Sequence, residues 1–152
     1  MLKVRPMQVS DLDRVYTIEL ASHKAPWSRS ILQDCILVGY NCRVLESTEK
    51  STGPRIVGYL IARQSNGVCH ILNLCIDVSC QGKGYGRFLL KNLLESLDKN
   101  LIATLILEVR PTNKAAIALY ESLGFQRKGI KTGYYMDEDG KEEDALVLKK
   151  WL

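Results

Sequence analysis

The chain has 152 residues, 46% of them hydrophobic and 25% charged, with a formal net charge of +4. That length suits one domain over residues 1–152 with a sizeable buried core, and the balance excludes a disordered or fibrous chain. No apolar run approaches the roughly 20 residues that cross a bilayer, MLKVRPMQVSDLD holds no secretory apolar core, and no basic block exceeds two residues. The sequence therefore predicts a cytoplasmic protein with no membrane partner. Its modest charge allows an anionic ligand or an RNA-associated partner, and no direct nucleic-acid binding is expected.

Residues 2–5 read as a strand. Ser10 reads as the N-cap of a helix, with an acid in the first turn and Leu12, Val15, Tyr16 and Leu20 near one face. HKAPWS (23–28) breaks this helix at its proline, and Ser28 caps a second one carrying Ile31, Leu32, Cys35 and Ile36. Extended segments at 41–46 and 55–64 flank STEKSTGP, a stretch of hairpin-loop composition. Asn66-Gly67 is a tight-turn signal. It leads into VCHILNLCID, where Leu72, Leu74 and Ile76 should face one way and Asn73, Cys75 and Asp77 the other. Beyond a glycine-rich loop, Phe88, Leu89, Leu93, Leu94 and Leu97 mark an amphipathic helix. ATLILEV is then a buried strand, NKAAIALYESL a helix with Gly124 at C′, and the tail two strands around Asp139-Gly140. The order is mixed α/β, with a run of antiparallel strands before the glycine loop.

Five cysteines (Cys35, Cys42, Cys69, Cys75, Cys80) lack any C-x-x-C spacing, and only two histidines exist. Clustered ligands are missing, so no metal site is expected, and the thiols read as small buried hydrophobes.

CQGKGYGR (80–87) lies between a strand and a helix, where free backbone N–H groups and the helix dipole favour a phosphate. The Walker A pattern fails because position 84 is Gly and position 78 is Val. The dinucleotide pattern fails because the spacing is G-x-G-x-G and the preceding strands read as antiparallel. Gln81-x-x-Gly84-x-Gly86 resembles instead the Q/R-x-x-G-x-G/A signature of the GCN5-related N-acetyltransferase (GNAT) family. The likeness extends to ILNLCID before the loop and to LILEVRPTNKAAIALYESLGF after it. With HKAPWS it is similar to the RimI-type branch, whose members acetylate the N-terminal alanine of a small-subunit ribosomal protein. Two departures are the missing proline after Asp77 and a longer hairpin, ESTEKSTGPR.

The resemblance implies a mostly antiparallel twisted sheet flanked by helices, with coenzyme A at a splay between strands and acetyl-CoA as cosubstrate. Acetyl transfer to an amine needs a bound pantetheine, a neutral amine, a stabilised oxyanion and a proton for the thiolate. By that resemblance the backbone of Leu74, Cys75 and Ile76 pairs with pantetheine, where a bulge would free an N–H for the thioester carbonyl. Gly82, Lys83, Gly84, Tyr85, Gly86 and Arg87 cradle the pyrophosphate. Glu108, a carboxylate in an apolar strand opposite Leu105, Leu107 and Val109, is the base, and Tyr120 the acid that protonates the thiolate. Asn113 lies seven residues before Tyr120, so about 10.5 Å of helix separates them on nearly one face. It is placed to touch the pantetheine arm or simply to cap its helix. Trp27, Tyr134 and Tyr135 are candidates to line the acceptor groove, or only to pack.

The expected acceptor is a protein N-terminus. An α-amine has a pKa of about 7.7–8.0 against about 10.4 for lysine, so far more of it is neutral at pH 7. A lysine or small-molecule acetyltransferase, and a non-catalytic coenzyme A-binding module, remain as alternatives; a mere binder needs neither Glu108 nor Tyr120.

Overall fold

The computed structural model describes residues 1–49, 53–137 and 139–152, so part of the expected STEKSTGP loop lies outside the described residues. Strands β1 (Leu2–Pro6), β2 (Asn41–Ser47), β3 (Arg55–Ser65), β4 (Val68–Ile76), β5 (Thr104–Val109), β6 (Gln126–Met136) and β7 (Glu142–Trp151) form one sheet. Its order is β1-β2-β3-β4-β5-β7-β6. Every neighbouring pair is antiparallel except β4 and β5. The β3–β4 hairpin turns on Asn66 and Gly67, whose φ of 52° and 78° match the right-handed strand twist. Parallel β4 and β5 need a crossover, which α3 (Tyr85–Ser96) supplies.

Helices α1 (Leu12–Ser22) and α2 (Arg29–Leu37) cover one face. Leu12, Val15, Ile18 and Leu32 pack there on Val44, Tyr59 and Ile61. On the other face, α3 and α4 (Lys114–Ser122) bring Leu89, Leu90, Leu93 and Ile117 against Leu60, Leu105, Leu107 and Leu148. The α1–α2 core contains no residue of β5, β6 or β7. Among the described residues, the α1–α2 core therefore does not extend over that half of the sheet. All five cysteines are free and buried, and burial pushes the Cys42 thiol up to about 12 and the Cys69 thiol to about 11.

Ser28 caps α2 as expected, accepting the Ile31 N–H at 3.2 Å, and Gly124 takes a left-handed φ of 95° after α4. Ser10 is not a cap. The Asp11 carboxylate is held by Arg5 at 2.8 Å and accepts the Gln8 N–H at 2.8 Å, so the chain enters α1 through a short 3-10 turn, Val9–Asp11. In α3 the buried seam runs through Leu89, Leu90 and Leu93 and leaves Phe88 exposed.

Strand β4 breaks its own alternation. Ile61 pairs with Asn73 and Ala62 with Ile71, so Leu72 is an extra residue, a β-bulge. On one side of it Cys69 and Ile71 face α3 and α4; on the other side Leu74 and Ile76 do. Leu72 itself packs with the α1–α2 core, against the expectation that it shares a face with Leu74 and Ile76. The bulge also ends the β4–β5 ladder, whose last pair is Ile71 with Leu107.

Candidate active site

Beyond Ile71 and Leu107 the two strands part, and a cleft of about 540 Å³ opens in the wedge. Leu74, Cys75 and Ile76 form one wall, and Asn113, Ala116 and Tyr120 of α4 the other. The floor is Gln81, Gly82, Gly84, Tyr85, Gly86 and Arg87. Gly84 precedes α3 with φ of 81° and offers no side-chain cap, so the N–H groups of the first turn have no partner within the helix. A Cβ on Gly86 would come within 3.2 Å of Leu119 Cδ2, which fixes how closely α3 and α4 approach. Asp77 anchors the loop entry, accepting from Arg14 at 2.5 Å, Arg55 at 3.1 Å and the Ser79 N–H at 3.1 Å. Uncapped donors over a glycine floor beside a wedge of unpaired strand fit the pyrophosphate and the pantetheine of coenzyme A. Arg87 lines this cleft and donates to Ser122 Oγ at 2.7 Å. Lys83 does not line it and is drawn to Glu49 at 3.5 Å.

A second pocket, of about 220 Å³, lies behind the wedge. His23, Leu74, Asn113, Ala116 and Tyr120 belong to both; Glu108, Trp27, Glu19, Arg110 and Tyr135 line only the second. Glu108 stands on the face of β5 away from Leu105, Leu107 and Val109, as its parity requires. His70 Nε2 meets its oxygens at 2.8 and 3.1 Å, the Tyr134 hydroxyl donates at 3.2 Å and Lys131 Nζ lies at 3.7 Å. Burial pushes the carboxyl up, and the His70, Lys131 and Tyr134 contacts outweigh it, so the net shift is downward. Glu108 is therefore a carboxylate at neutral pH. Arg110, two residues on, is engaged elsewhere: its guanidinium donates to Glu143 at 2.9 Å and lies over the Tyr135 ring at 4.4 Å.

Tyr120 is buried, edge-on to Phe125 with centroids 5.6 Å apart. Burial, with Tyr135 and Cys75 nearby, pushes its hydroxyl well above the ordinary phenol range, so it keeps its proton. Asn113 caps α4, its Oδ1 accepting the Ala116 N–H at 3.2 Å, while its side also faces the cleft. Trp27 both lines the pocket and packs with the α1–α2 core. Its backbone N–H donates to Glu19 at 3.0 Å. Glu19 is 2% exposed and also accepts from Tyr59 and, at 2.8 Å, from Asn73.

The geometry has a match among known proteins. The profile of the acetyltransferase (GNAT) family covers residues 9–125, which hold the loop, Glu108 and Tyr120. The chain belongs to that family. As a GNAT protein it is an acetyl-CoA-dependent N-acetyltransferase. A ribosomal protein bS18-alanine N-acetyltransferase of Escherichia coli K12 is 35% identical over 145 residues, covering 95% of this chain and 94% of the relative. Its counterpart in Haemophilus influenzae is 31% identical, covering 98% of each chain. The crystal structure of the ribosomal-protein-S18-alanine N-acetyltransferase from Escherichia coli superposes with a TM-score of 0.87 at 34% identity, over 99% of this chain and 94% of that one.

Two residues of this GNAT site, Glu19 and His70, are absent from the sequence-based candidates. Glu19 follows Leu12 by seven and lies on the same helical face; that spacing is a readable signal. His70 has none, because the bulge reverses the parity of β4.

Proposed function

We propose that this chain transfers the acetyl group of acetyl-CoA to the N-terminal α-amine of a protein, the N-terminal alanine of a ribosomal protein being the preferred acceptor. We further assign the whole of residues 1–152 to that one activity, carried out in the cytoplasm. The observation that carries the reading is the shared wall: a coenzyme cleft and a carboxylate-bearing pocket meet at Tyr120 and Leu74. The names of the relatives support the choice of acceptor.

Acetyl-CoA supplies an activated acetyl thioester; the chain supplies placement and proton management. The backbone of Leu74, Cys75 and Ile76 holds the pantetheine, Gly82, Gly84, Tyr85, Gly86 and Arg87 the pyrophosphate, and Asn113 the arm between them. Trp27 and Tyr135 line the pocket and confine the acceptor's first residues; Tyr134 is not part of that lining and reaches the site through its hydroxyl on Glu108. Glu108 takes the amine proton, with a water between them where the acceptor stops short. Being a weak base, it is matched to an α-amine, roughly a tenth of which is neutral at pH 7, better than to lysine. Tyr120 donates its retained proton to the departing thiolate. The test is acetyl-CoA turnover on peptides that begin with Ala, Ser, Met or Glu, alongside peptides with a blocked α-amine and an internal lysine. Preferential turnover of the Ala-initiated peptide is expected, and acetylation confined to lysines would remove the N-terminal assignment.

A further inference from the structure

Three adjacent strands place a row of side chains on the face that carries α1 and α2, beyond the edge of the core those helices form. Arg63 of β3 pairs in register with His70 of β4, and His70 with Ile106 of β5, two residues before Glu108. Arg63 approaches His70 Nδ1 at 3.4 Å. A guanidinium only donates, so Nδ1 is the acceptor and the imidazole proton resides on Nε2. That N–H points at Glu108, 2.8 Å from Oε1 and 3.1 Å from Oε2.

We propose that His70 is a positioning residue for Glu108: braced from behind by Arg63, its Nε2–H holds the carboxylate in the orientation that faces the acceptor pocket. This rests on the reading of Glu108 as the base. The two carboxylate oxygens are unequal. Oε1 takes the shorter His70 contact and the Tyr134 hydroxyl at 3.2 Å; Oε2 has only the longer His70 contact and Lys131 at 3.7 Å. Oε2 therefore keeps lone-pair capacity for the amine proton. The carboxyl is nearly closed off from solvent, its side chain 6% exposed. Without the imidazole it would face the desolvation penalty with only two weak contacts.

The other ionisable groups around the pocket do not substitute. Glu19 is engaged by its own donors, Arg110 is held by Glu143, and His23 and Lys24 line the pocket from the end of α1. Removing His70 should then let burial raise the Glu108 pKa. A base works only when ionised, so its activity is lost as pH falls through its pKa, and raising that pKa moves the loss to higher pH.

The experiment compares wild type with His70→Leu, His70→Asn and His70→Gln, using acetyl-CoA and an Ala-initiated peptide between pH 5 and 9. Coenzyme affinity and melting temperature are measured beside the rates. His70→Leu should lower kcat on the order of 10- to 100-fold, less than the roughly 10²–10⁴ of losing the base itself because the carboxylate remains, with coenzyme affinity unchanged. The ratio of its rate to wild type, in which the acceptor's titration cancels, should fall as pH is lowered. His70→Gln carries an N–H near the Nε2 position and should recover most of the rate; His70→Asn is too short and should not. Should the leucine variant fail to fold, the Asn and Gln pair still decides. Equal loss in Asn and Gln, or a variant-to-wild-type ratio flat with pH, overturns the proposal. Wild-type rates retained by Glu108→Gln would instead sink the base assignment beneath it.

Discussion

Two buried carboxylates look into the same pocket, and they have opposite fates. Glu19 sits under α1 where both faces of the sheet are covered. It accepts from Tyr59 of β3, Asn73 of β4 and the Trp27 N–H of the α1–α2 loop, and His23 lies 3.4 Å away. Three hydrogen bonds fix it, Tyr59 and Asn73 on Oε1 and the Trp27 N–H on Oε2, so it ties four elements together. Glu108 sits beyond the edge of the α1–α2 core and is met by long, movable donors from β6 and by one histidine. Burial alone makes a carboxylate expensive; the number and reach of its partners determine whether that cost serves the fold or the reaction.

The sharpest way to break this contrast is Glu108→Gln. It should cut kcat by about 10²–10⁴, the usual contribution of a general base, with coenzyme affinity unchanged and the melting temperature little altered. A purely structural Glu108 would show the reverse pattern. Tyr120→Phe should cost about 10² in turnover by removing the proton for the thiolate, again sparing coenzyme binding in a calorimetric titration. Glu19→Ala should act on the fold, destabilising it by about 3 kcal/mol in chemical denaturation as three donors lose their acceptor. If it instead lowered kcat at full stability, the division between the two carboxylates would collapse. Trp27→Ala should raise the KM for the peptide by about 3- to 10-fold with kcat nearly constant, as expected when binding common to ground and transition states is removed.

A pH scan adds the smallest effect. The folded-state pKa of Glu108 lies below its unfolded value, so its pairing stabilises the protein above the unfolded pKa and is lost as pH falls through the folded one. The stability gap between wild type and Glu108→Gln should therefore shrink on acidification.

Much of this was readable before any coordinates. The glycine spacing of 82, 84 and 86 named the loop, and the odd–even parity of ATLILEV placed Glu108 opposite the core. The seven-residue step from Asn113 to Tyr120 put both at the cleft. Local rules failed where a distant residue competed. Ser10 lost its capping role because Arg5 and Asp11, six apart, captured the turn. Lys83 stands outside the cleft lining, 3.5 Å from Glu49. Glu19 reads as a polar residue on a helix until its register with Leu12 and Val15 is counted. The bulge at Leu72 is the deeper failure, since hydrophobicity of the run HILNLCI gives no sign of which residue is surplus.

That surplus residue makes β4 a strand with two addressees. Residues 68–71 are written for one parity and 73–76 for the other, so one continuous segment presents His70 to Glu108 on one side of Leu72 and Leu74 and Ile76 to the cleft on the other. Deleting Leu72 would leave every local preference intact and still misdeliver half the message: either His70 would turn toward α3, or Leu74 and Ile76 would leave their wall. The length of this strand, counted to a single residue, is itself part of what the proposed site requires.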